Sequence, residues 1–576
     1  MKEFLSYLKP YKRDAVLAVF CIEAETVFEL IIPLVMASIV DVGVATGDRH
    51  YILMKGLQMV LFALISLVLG QGSAMFSARC GQGLGAEIRK AEFAKLQQFS
   101  FANTDHFSSS SLVTRLTSDV TTIQNSVATG MRPAFRSPVM MLTAMAASFY
   151  INPQLALVFL VAAPVLGVLL FFIISHVRPL YSVMQGAIDM VNRIIQENLT
   201  AIRVVKSYVR GDYEIQKFEE VNYNLQFTAE KAFRLAVLNM PAMQLVMYST
   251  ILCILWFGGR LVTIGGVKVG ELTGFLSYVM QVLNSLMMFS NVFLMTTRAL
   301  ASWKRISEVM DEEIDIKEDM ALDLNVEQGD IRFEHVYFKY NKEAAEYVLS
   351  DISFHIKPGQ TVGIIGGTGS GKSTLVNLIP RFYDATEGGG SVDGHDVREY
   401  PLDQLRGKTG IVPQKAVLFH GTLRENMQWG KKNATDDEIY EALKTAQALE
   451  FVEEKDEGLE LYIQAGGKNL SGGQRQRLTI ARALVRKPEI LIMDDSASAL
   501  DFATDAALRH AIHEQTKGMT VFIVSQRATS IKQADKILVL DDGELAGVGT
   551  HKELMESCEV YREICLSQLS EQEVNR

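Results

Sequence analysis

Cysteine is scarce in this sequence and badly placed for bonding. The five cysteines (Cys21, Cys80, Cys253, Cys558, Cys565) stand at no metal-ligand spacing, and two fall inside long apolar runs. That argues against a disulfide framework and against a zinc centre. Clustered Lys and Arg are also missing: 56 basic residues face 66 acidic ones, for a net charge of −10. Without a basic stripe to neutralise phosphates, no nucleic acid is expected as a partner. A small-residue cleavage pattern is absent behind the basic N-terminal residues Lys2, Lys9, Lys12 and Arg13, and the apolar stretch that follows is too long for a secretory signal. It reads as a retained membrane span.

What is present divides the chain in two. At 576 residues it is too long for one ordinary domain. Before about residue 305 long apolar runs dominate; after it come short apolar runs, Gly turns and amphipathic helices. Six stretches are long enough to cross a hydrocarbon core, which takes roughly 20 helical residues: 14–42, 52–78, 133–151, 154–176, 240–262 and 271–297. The intervening segments 79–132 and 177–239 are rich in Arg and Lys, whereas Tyr150 to Gln154 carries no charge. The positive-inside rule then places both termini and the two long loops in the cytoplasm of a multi-pass cell-membrane protein. Helical periodicity continues past the spans at Ala86 to Phe99 and Val191 to Phe233, so the helices should extend into the cytosol. Phe107 to Val120 and Tyr208 to Phe218 are the expected tips, where this domain would touch the second one. The expected organisation is a six-span domain over 1–310, an acidic linker over 311–328, and a cytosolic α/β P-loop domain with a helical subdomain over 329–576.

An apolar strand-like run, Thr361 to Ile365, leads into Gly366, Gly367, Thr368, Gly369, Ser370, Gly371, Lys372 and Ser373, and then into the helical Thr374 to Ile379. This is the P-loop pattern: glycines let backbone N–H groups wrap phosphates, the lysine reaches the β and γ oxygens, and the serine hydroxyl holds magnesium. ATP and Mg²⁺ are therefore the expected cofactors. Downstream, Ser471, Gly472, Gly473 and Gln474 open a helix as a second anion-binding nest, which does not suit the same phosphates. Ile490 to Met493 reads as a buried strand ending in Asp494 and Asp495, and a carboxylate at such a strand end can hold magnesium through water.

Together and in this order these motifs resemble the ATP-binding cassette exporters, with a transmembrane domain fused ahead of the nucleotide-binding domain. The resemblance covers essentially the whole chain. It implies that Tyr340, closing Val336 to Tyr340, stacks on adenine and that Gln414, in Val412-Pro413-Gln414, senses magnesium. By the same resemblance Ser471 to Gln474 is the signature that meets the ATP held by the other subunit. Ser498 to Asp501 is the loop that communicates across the dimer, with Asp501 closing it.

Three positions depart from the family. Asp495 stands where the family has the glutamate that positions the attacking water, shortening the reach by about 1.5 Å. Gln526 stands where the family has a switch histidine, and it can hydrogen-bond but not titrate. Gln464 to Gly467 lacks a frequently acidic residue. Intact binding motifs beside two altered catalytic positions imply a site that binds ATP and hydrolyses it weakly. Family members of that kind pair with a second half-subunit that keeps the Glu and His, although a homodimer tolerating both changes stays open, as does an ATP-gated channel or regulatory subunit.

The first span carries Glu23, Glu25 and Glu29, where charge costs several kcal/mol unless it meets water or a partner. At about 100° per residue Glu25 and Glu29 share a face and Glu23 lies nearly opposite. The pair could line a cavity for cationic amphipathic compounds or pair with Arg or Lys of another helix; the sequence favours neither. Met280, Met287, Met288 and Met295 recur at helical spacing, which suits varied ligands as well as plain packing. The expected cargo is an amphipathic drug or lipid, and no peptidase-like segment precedes the first span.

Overall fold

The computed structural model describes residues 2–341, 343–496, 500–515 and 518–568. It forms two compact units: residues up to Gln97 with Ser110–Asp311, and Gln98–Ser109 with Glu312 onward.

The first unit is all helix. Lys12–Ser38 continues through a π-helical turn at Ile39–Val44, and then come Arg49–Leu96, Met131–Ile151, Pro153–Thr200, Gly211–Ala236, Asn239–Thr263 and Val269–Met310. The two longest helices have 48 residues each, about 72 Å at 1.5 Å per residue. A hydrocarbon core takes only about 30 Å of that, so these helices run well beyond the membrane, as the charged periodic segments predicted. Short polar caps punctuate them. Asp48 accepts from the N–H groups of His50 and Tyr51 at 2.9 and 3.1 Å, and Asn152 accepts from Leu155 N at 3.0 Å just before Pro153. That uncharged turn is the tight connection between the third and fourth expected spans. Asp41 caps the last long helix by accepting from the N–H groups of Gly270 and Glu271. The approach is close enough that a Cβ on Gly270 would lie 2.2 Å from the Ala37 carbonyl oxygen, so this position requires glycine.

All six expected spans fall within helices, but the segments are not equally apolar. Five helical stretches, Ser6–Val44, Arg49–Leu96, Pro153–Thr200, Gly211–Thr263 and Val269–Met310, are long and apolar enough to cross a membrane. Met131–Ile151, the third expected span, is not among them. Its first turns carry Arg132 and Arg136, and much of the rest is Ala, Ser and Met. Large apolar side chains face outward along the others, Phe171 at 75% and Val68 at 69% exposure among them, which is the surface a lipid solvent accepts. The fold is that of a multi-pass membrane protein.

The second unit is an α/β domain. Its strands are β1 (Ile331–Phe338), β2 (Leu349–Ile356), β3 (Thr361–Gly366), β4 (Glu387–Val392), β5 (His395–Asp396), β6 (Thr409–Val412), β7 (Gly421–Thr422), β8 (Tyr462–Ile463), β9 (Ile490–Asp494), β10 (Thr520–Val524), β11 (Lys536–Asp541) and β12 (Glu544–Gly549). The main sheet runs β12-β11-β3-β10-β9-β6. It is parallel except for β12, which pairs antiparallel on β11. β10 is buried throughout and β3 and β9 nearly so, because a parallel sheet covered on both faces needs continuous apolar runs. An antiparallel sheet, β2-β1-β4-β5, and a two-stranded pair, β7-β8, complete the framework. Helices Asp436–Thr445 and Gly472–Leu484 pack into one core with Leu423, Met427 and Phe451, which is the expected helical subdomain.

The acidic stretch after Met310 lies along this unit. Arg381 donates to the Lys317 carbonyl, Glu318 accepts from Leu402 N, and Val326 is fully buried.

The tip expected at Phe107 to Val120 is displaced. The segment that folds with the α/β unit is Gln98–Ser109, while Ser110 onward stays with the helical unit. Apolar Phe101 and Ala102 explain the shift, since both pack against the α/β core.

Candidate nucleotide site

β3 delivers its last residues to a loop that needs glycine at particular points. Gly369 and Gly371 have φ of 85° and 89°, a region closed to most side chains. A Cβ on Gly366 would lie 2.0 Å from the Leu540 carbonyl oxygen, whereas at Gly367 and Gly369 nothing stands within 4 Å. The loop is thus pinned at its base and open at its crown. Helix Lys372–Leu378 follows directly and turns its free N–H groups toward that crown.

Lys372 is 8% exposed, and its Nζ donates to the carbonyls of Gly366 at 3.0 Å and Gly367 at 2.5 Å and to Ser370 Oγ at 3.3 Å. Burial pulls its pKa below the ordinary lysine value, while Asp494 and Asp495 act the other way. Ser373 Oγ donates to Asp494 Oδ1 at 3.0 Å. Burial raises the Asp494 pKa and Asp495 raises it further, while Ser373 and Lys372 oppose the shift. An acid whose charge is held up by desolvation gains from a cation placed beside it. A serine hydroxyl, a carboxylate and an amide oxygen suit magnesium, an oxygen-seeking ion that keeps several waters. Ser373, Asp494 and Gln414 line one cleft, so the donor set fits.

That cleft has a volume of about 360 Å³ and brings together Tyr340, Thr368, Gly369, Gly371, Lys372, Ser373, Thr374, Gln414, Asp494, Asp495 and Gln526. Two of the three departures, Asp495 and Gln526, are therefore in the same cleft as the P-loop residues, and Gln464 to Gly467 is not. Asp495 has a φ of 45°, with its N–H donating to the Val524 carbonyl at 3.0 Å. Tyr340 is half exposed and its hydroxyl hydrogen-bonds Thr374 Oγ1 at 2.9 Å.

The remaining expected residues lie elsewhere. Ser471 caps helix Gly472–Leu484 in a reciprocal box with Gln474: Gln474 N donates to Ser471 Oγ at 3.2 Å and Ser471 N donates to Gln474 Oε1 at 3.0 Å. Ser471 and Gly472 are exposed and do not line the cleft. Asp501 is exposed and accepts from Thr504 N at 2.9 Å, which lowers its pKa. Ser498 and Ala499 lie outside the described residues.

Glu25 and Glu29 are in the helical unit, and their partners are now visible. Glu25, 3% exposed, accepts from Arg132 Nη2 at 2.5 Å and from Arg136 Nη1 at 3.4 Å, while Glu29 accepts from Arg136 Nη2. Two carboxylates and two guanidiniums neutralise one another. Of the two readings left open by the sequence, ion pairing is the one the structure displays.

One feature of the α/β unit has no counterpart in the sequence reading. Helix Phe101–His106 lays Phe101 on Phe382, with ring centroids 4.2 Å apart, and against the edge of Tyr383. Tyr383 donates to Asp105 Oδ2 at 2.7 Å and meets the Tyr340 ring edge-on at 5.2 Å. Burial, then Asp105, pushes the Tyr383 phenol well above its ordinary pKa. The segment around Asp105 thus reaches Tyr340 in the cleft through one aromatic ring. A capping box at Ser100 and Asn103 is the signal by which this short helix could have been found.

The family model for ABC transporter transmembrane regions matches residues 15–286, and that for ABC transporters matches 349–498. An ABC transporter ATP-binding protein of Bacillus subtilis, YfiB, is 39% identical over 568 residues, covering 99% of this chain and 98% of its own length. A second Bacillus subtilis protein, YgaD, named for multidrug export, is 30% identical and covers 98% of both chains. The solved structure of a bacterial Atm1-family ABC exporter with ATP bound superposes with a TM-score of 0.82 at 23% identity, covering 97% of this chain and 99% of that one. The protein belongs to the ABC transporter family, with a transmembrane region and an ABC ATP-binding domain of exporter-type fold on one polypeptide.

Proposed function

We propose that this ABC exporter subunit binds MgATP at its own Walker site but turns it over slowly, and works beside a second half-subunit that carries the catalytic Glu and His. The observation that supports the reading is the shared cleft, in which Lys372, Ser373 and Asp494 stand beside Asp495 and Gln526. A bound magnesium ion would be held by Ser373, Asp494 and Gln414 and would draw charge from the phosphate oxygens. Lys372 holds the phosphates, Tyr340 takes the adenine ring, and Asp495 is too short to place a water where a glutamate would. Catalytic geometry is sensitive at the scale of about 1 Å.

The Ser471 to Gln474 nest, exposed at Ser471 and Gly472, then completes the active site built on the partner's Walker residues, and the loop ending at Asp501 meets the partner. Both termini face the cytoplasm, in keeping with the Arg- and Lys-rich loops. The cargo is an amphipathic drug or lipid moved outward. With Glu25 and Glu29 matched by Arg132 and Arg136, its recognition rests on apolar surface and shape more than on charge, and the name of YgaD supports the drug class.

The test is a gain of function: Asp495→Glu with Gln526→His in the purified complex. A second competent site should raise ATPase turnover, up to about twofold where two equivalent sites act independently, and should let this chain trap nucleotide with vanadate. Trapping on the unaltered chain at the level of the double variant would overturn the reading.

A further inference from the structure

Gln526 follows the end of β10 and belongs to no helix or strand. Its position in the nucleotide cleft therefore depends on what holds the backbone around it. Inside the loop, Ser525 Oγ accepts from Arg527 N at 3.0 Å. From outside comes Gln568, the last residue of helix Glu559–Gln568. Its Nε2 donates to the Gln526 carbonyl at 2.8 Å, and its Oε1 accepts from Ala528 N at 2.9 Å. One primary amide thus closes on a donor and an acceptor two residues apart, and only one orientation of that amide satisfies both.

The helix presenting the amide is fixed. Tyr561 and Cys565 are fully buried in the same core as Ala528 and Ile531. Tyr561, Cys565 and Gln568 follow at i, i+4 and i+7, which is one helical face. The face that anchors the helix therefore carries Gln568 to the loop one turn further on. No ATP-binding motif includes this residue, and Gln568 itself does not line the cleft.

We infer that Gln568 is a positioning residue for the nucleotide site, by which the C-terminal helix holds the Gln526 backbone so that the Gln526 side chain faces the terminal phosphate of ATP. This rests on the reading that Gln526 faces that phosphate, and the experiment separates the two.

The probe is the slowly hydrolysed analogue AMP-PNP with magnesium, and the reading is its release rate from this chain in the full transporter, so the hydrolysis rate of the site does not enter. Gln568→Met keeps the volume and removes both hydrogen bonds. Only the share of the two lost hydrogen bonds that is felt by nucleotide is read, and release should quicken about three- to tenfold. Gln526→Ala should quicken it too, and in that background Gln568→Met should add nothing, because neighbours acting through one group are not additive. Unchanged thermal unfolding of Gln568→Met confirms that the helix remains docked. If Gln526→Ala quickens release and Gln568→Met does not, or if Gln568→Met acts equally in both backgrounds, the positioning role is overturned while the phosphate contact stands. If Gln526→Ala itself has no effect, the phosphate contact and the positioning role fall together.

Discussion

Two of the regions in which this protein buries charge do so to opposite ends. In the nucleotide cleft Lys372 is folded onto backbone carbonyls and Asp494 is held by one hydroxyl. These groups have partners weak enough to be exchanged for phosphate oxygens and a metal ion. In the helical unit Glu25 and Glu29 face Arg132 and Arg136, full charge against full charge. In such a set each carboxylate already meets a guanidinium, although Glu25 Oε2 has no hydrogen-bond partner, and removing one member leaves an uncompensated charge. A buried charge is thus poised when its partners are neutral and structural when its partner is an ion. The same sequence signal, a charged residue where charge is costly, stands behind both.

The sharpest way to break the cleft's side of the comparison acts from outside it. Ser471→Arg places bulk and charge against the ATP held by the partner, so ATPase activity of the purified complex should fall almost to background. Retention of half the activity would show that the signature nest of this chain serves no active catalytic site.

Glu25→Gln tests the opposite side. Arg132 and Arg136 would lose their shared carboxylate, which for a buried pair costs about 3–5 kcal/mol. Arg132 keeps 40% side-chain exposure, so the lower end of that range is expected, read as reduced expression and an earlier thermal transition in detergent. Transport of cationic and neutral compounds should fall alike. Selective loss of cationic transport with normal stability would make Glu25 a cargo group, and the two regions would no longer differ.

Lys372→Ala should leave stability nearly intact and weaken ATP binding. One charge-assisted hydrogen bond contributes about 1.5–3 kcal/mol, and at about 1.4 kcal/mol per tenfold the affinity for ATP at this chain's own site should drop about ten- to hundredfold. Photolabelling of the chain by an azido-ATP analogue reads it directly. Wild-type labelling would remove Lys372 from the phosphate site.

The cleft was legible in the sequence because its parts are local. Gly366 to Ser373 follows β3 without a break, Asp494 ends β9, and Gln526 lies just after β10; parallel strands bring those ends to one edge of the sheet. The ion cluster was not legible, since Arg132 and Arg136 are more than a hundred residues from Glu25 and helical periodicity names a face but not its neighbour. For the same reason the segments meeting the α/β unit were expected at Phe107 to Val120 and Tyr208 to Phe218, whereas the one that folds with it is Gln98–Ser109. The third expected span, 133–151, begins after Arg132, and the arginines at the start of Met131–Ile151 are what complete the cluster. Gln568 escaped for a different reason, because a glutamine at a helix end carries no motif and gains its meaning only from the backbone it meets.

The smallest expected effect is the most informative. Asp495 and Asp494 stand side by side at the end of β9, yet they differ in what they touch: Asp494 takes the Ser373 hydroxyl, while the Asp495 backbone turns to φ 45° and bonds the Val524 carbonyl. If Asp494 is the metal-side carboxylate and Asp495 the shortened remnant of a catalytic one, charge at 495 contributes little to turnover. General-base groups commonly supply about 10² to 10⁴ in rate, so a complex with one competent site is governed by the site that has the full-length base. Asp495→Asn keeps shape and removes only the charge, and ATPase turnover of the assembled transporter should change by less than about twofold, the share one of two equal sites would carry. Asp494→Asn, by contrast, should weaken magnesium-dependent ATP binding to this chain. Asp495→Asn silencing the enzyme as fully as Ser471→Arg would make this cleft the catalytic one and its aspartate a working base, and the partner would then have no superior site to offer.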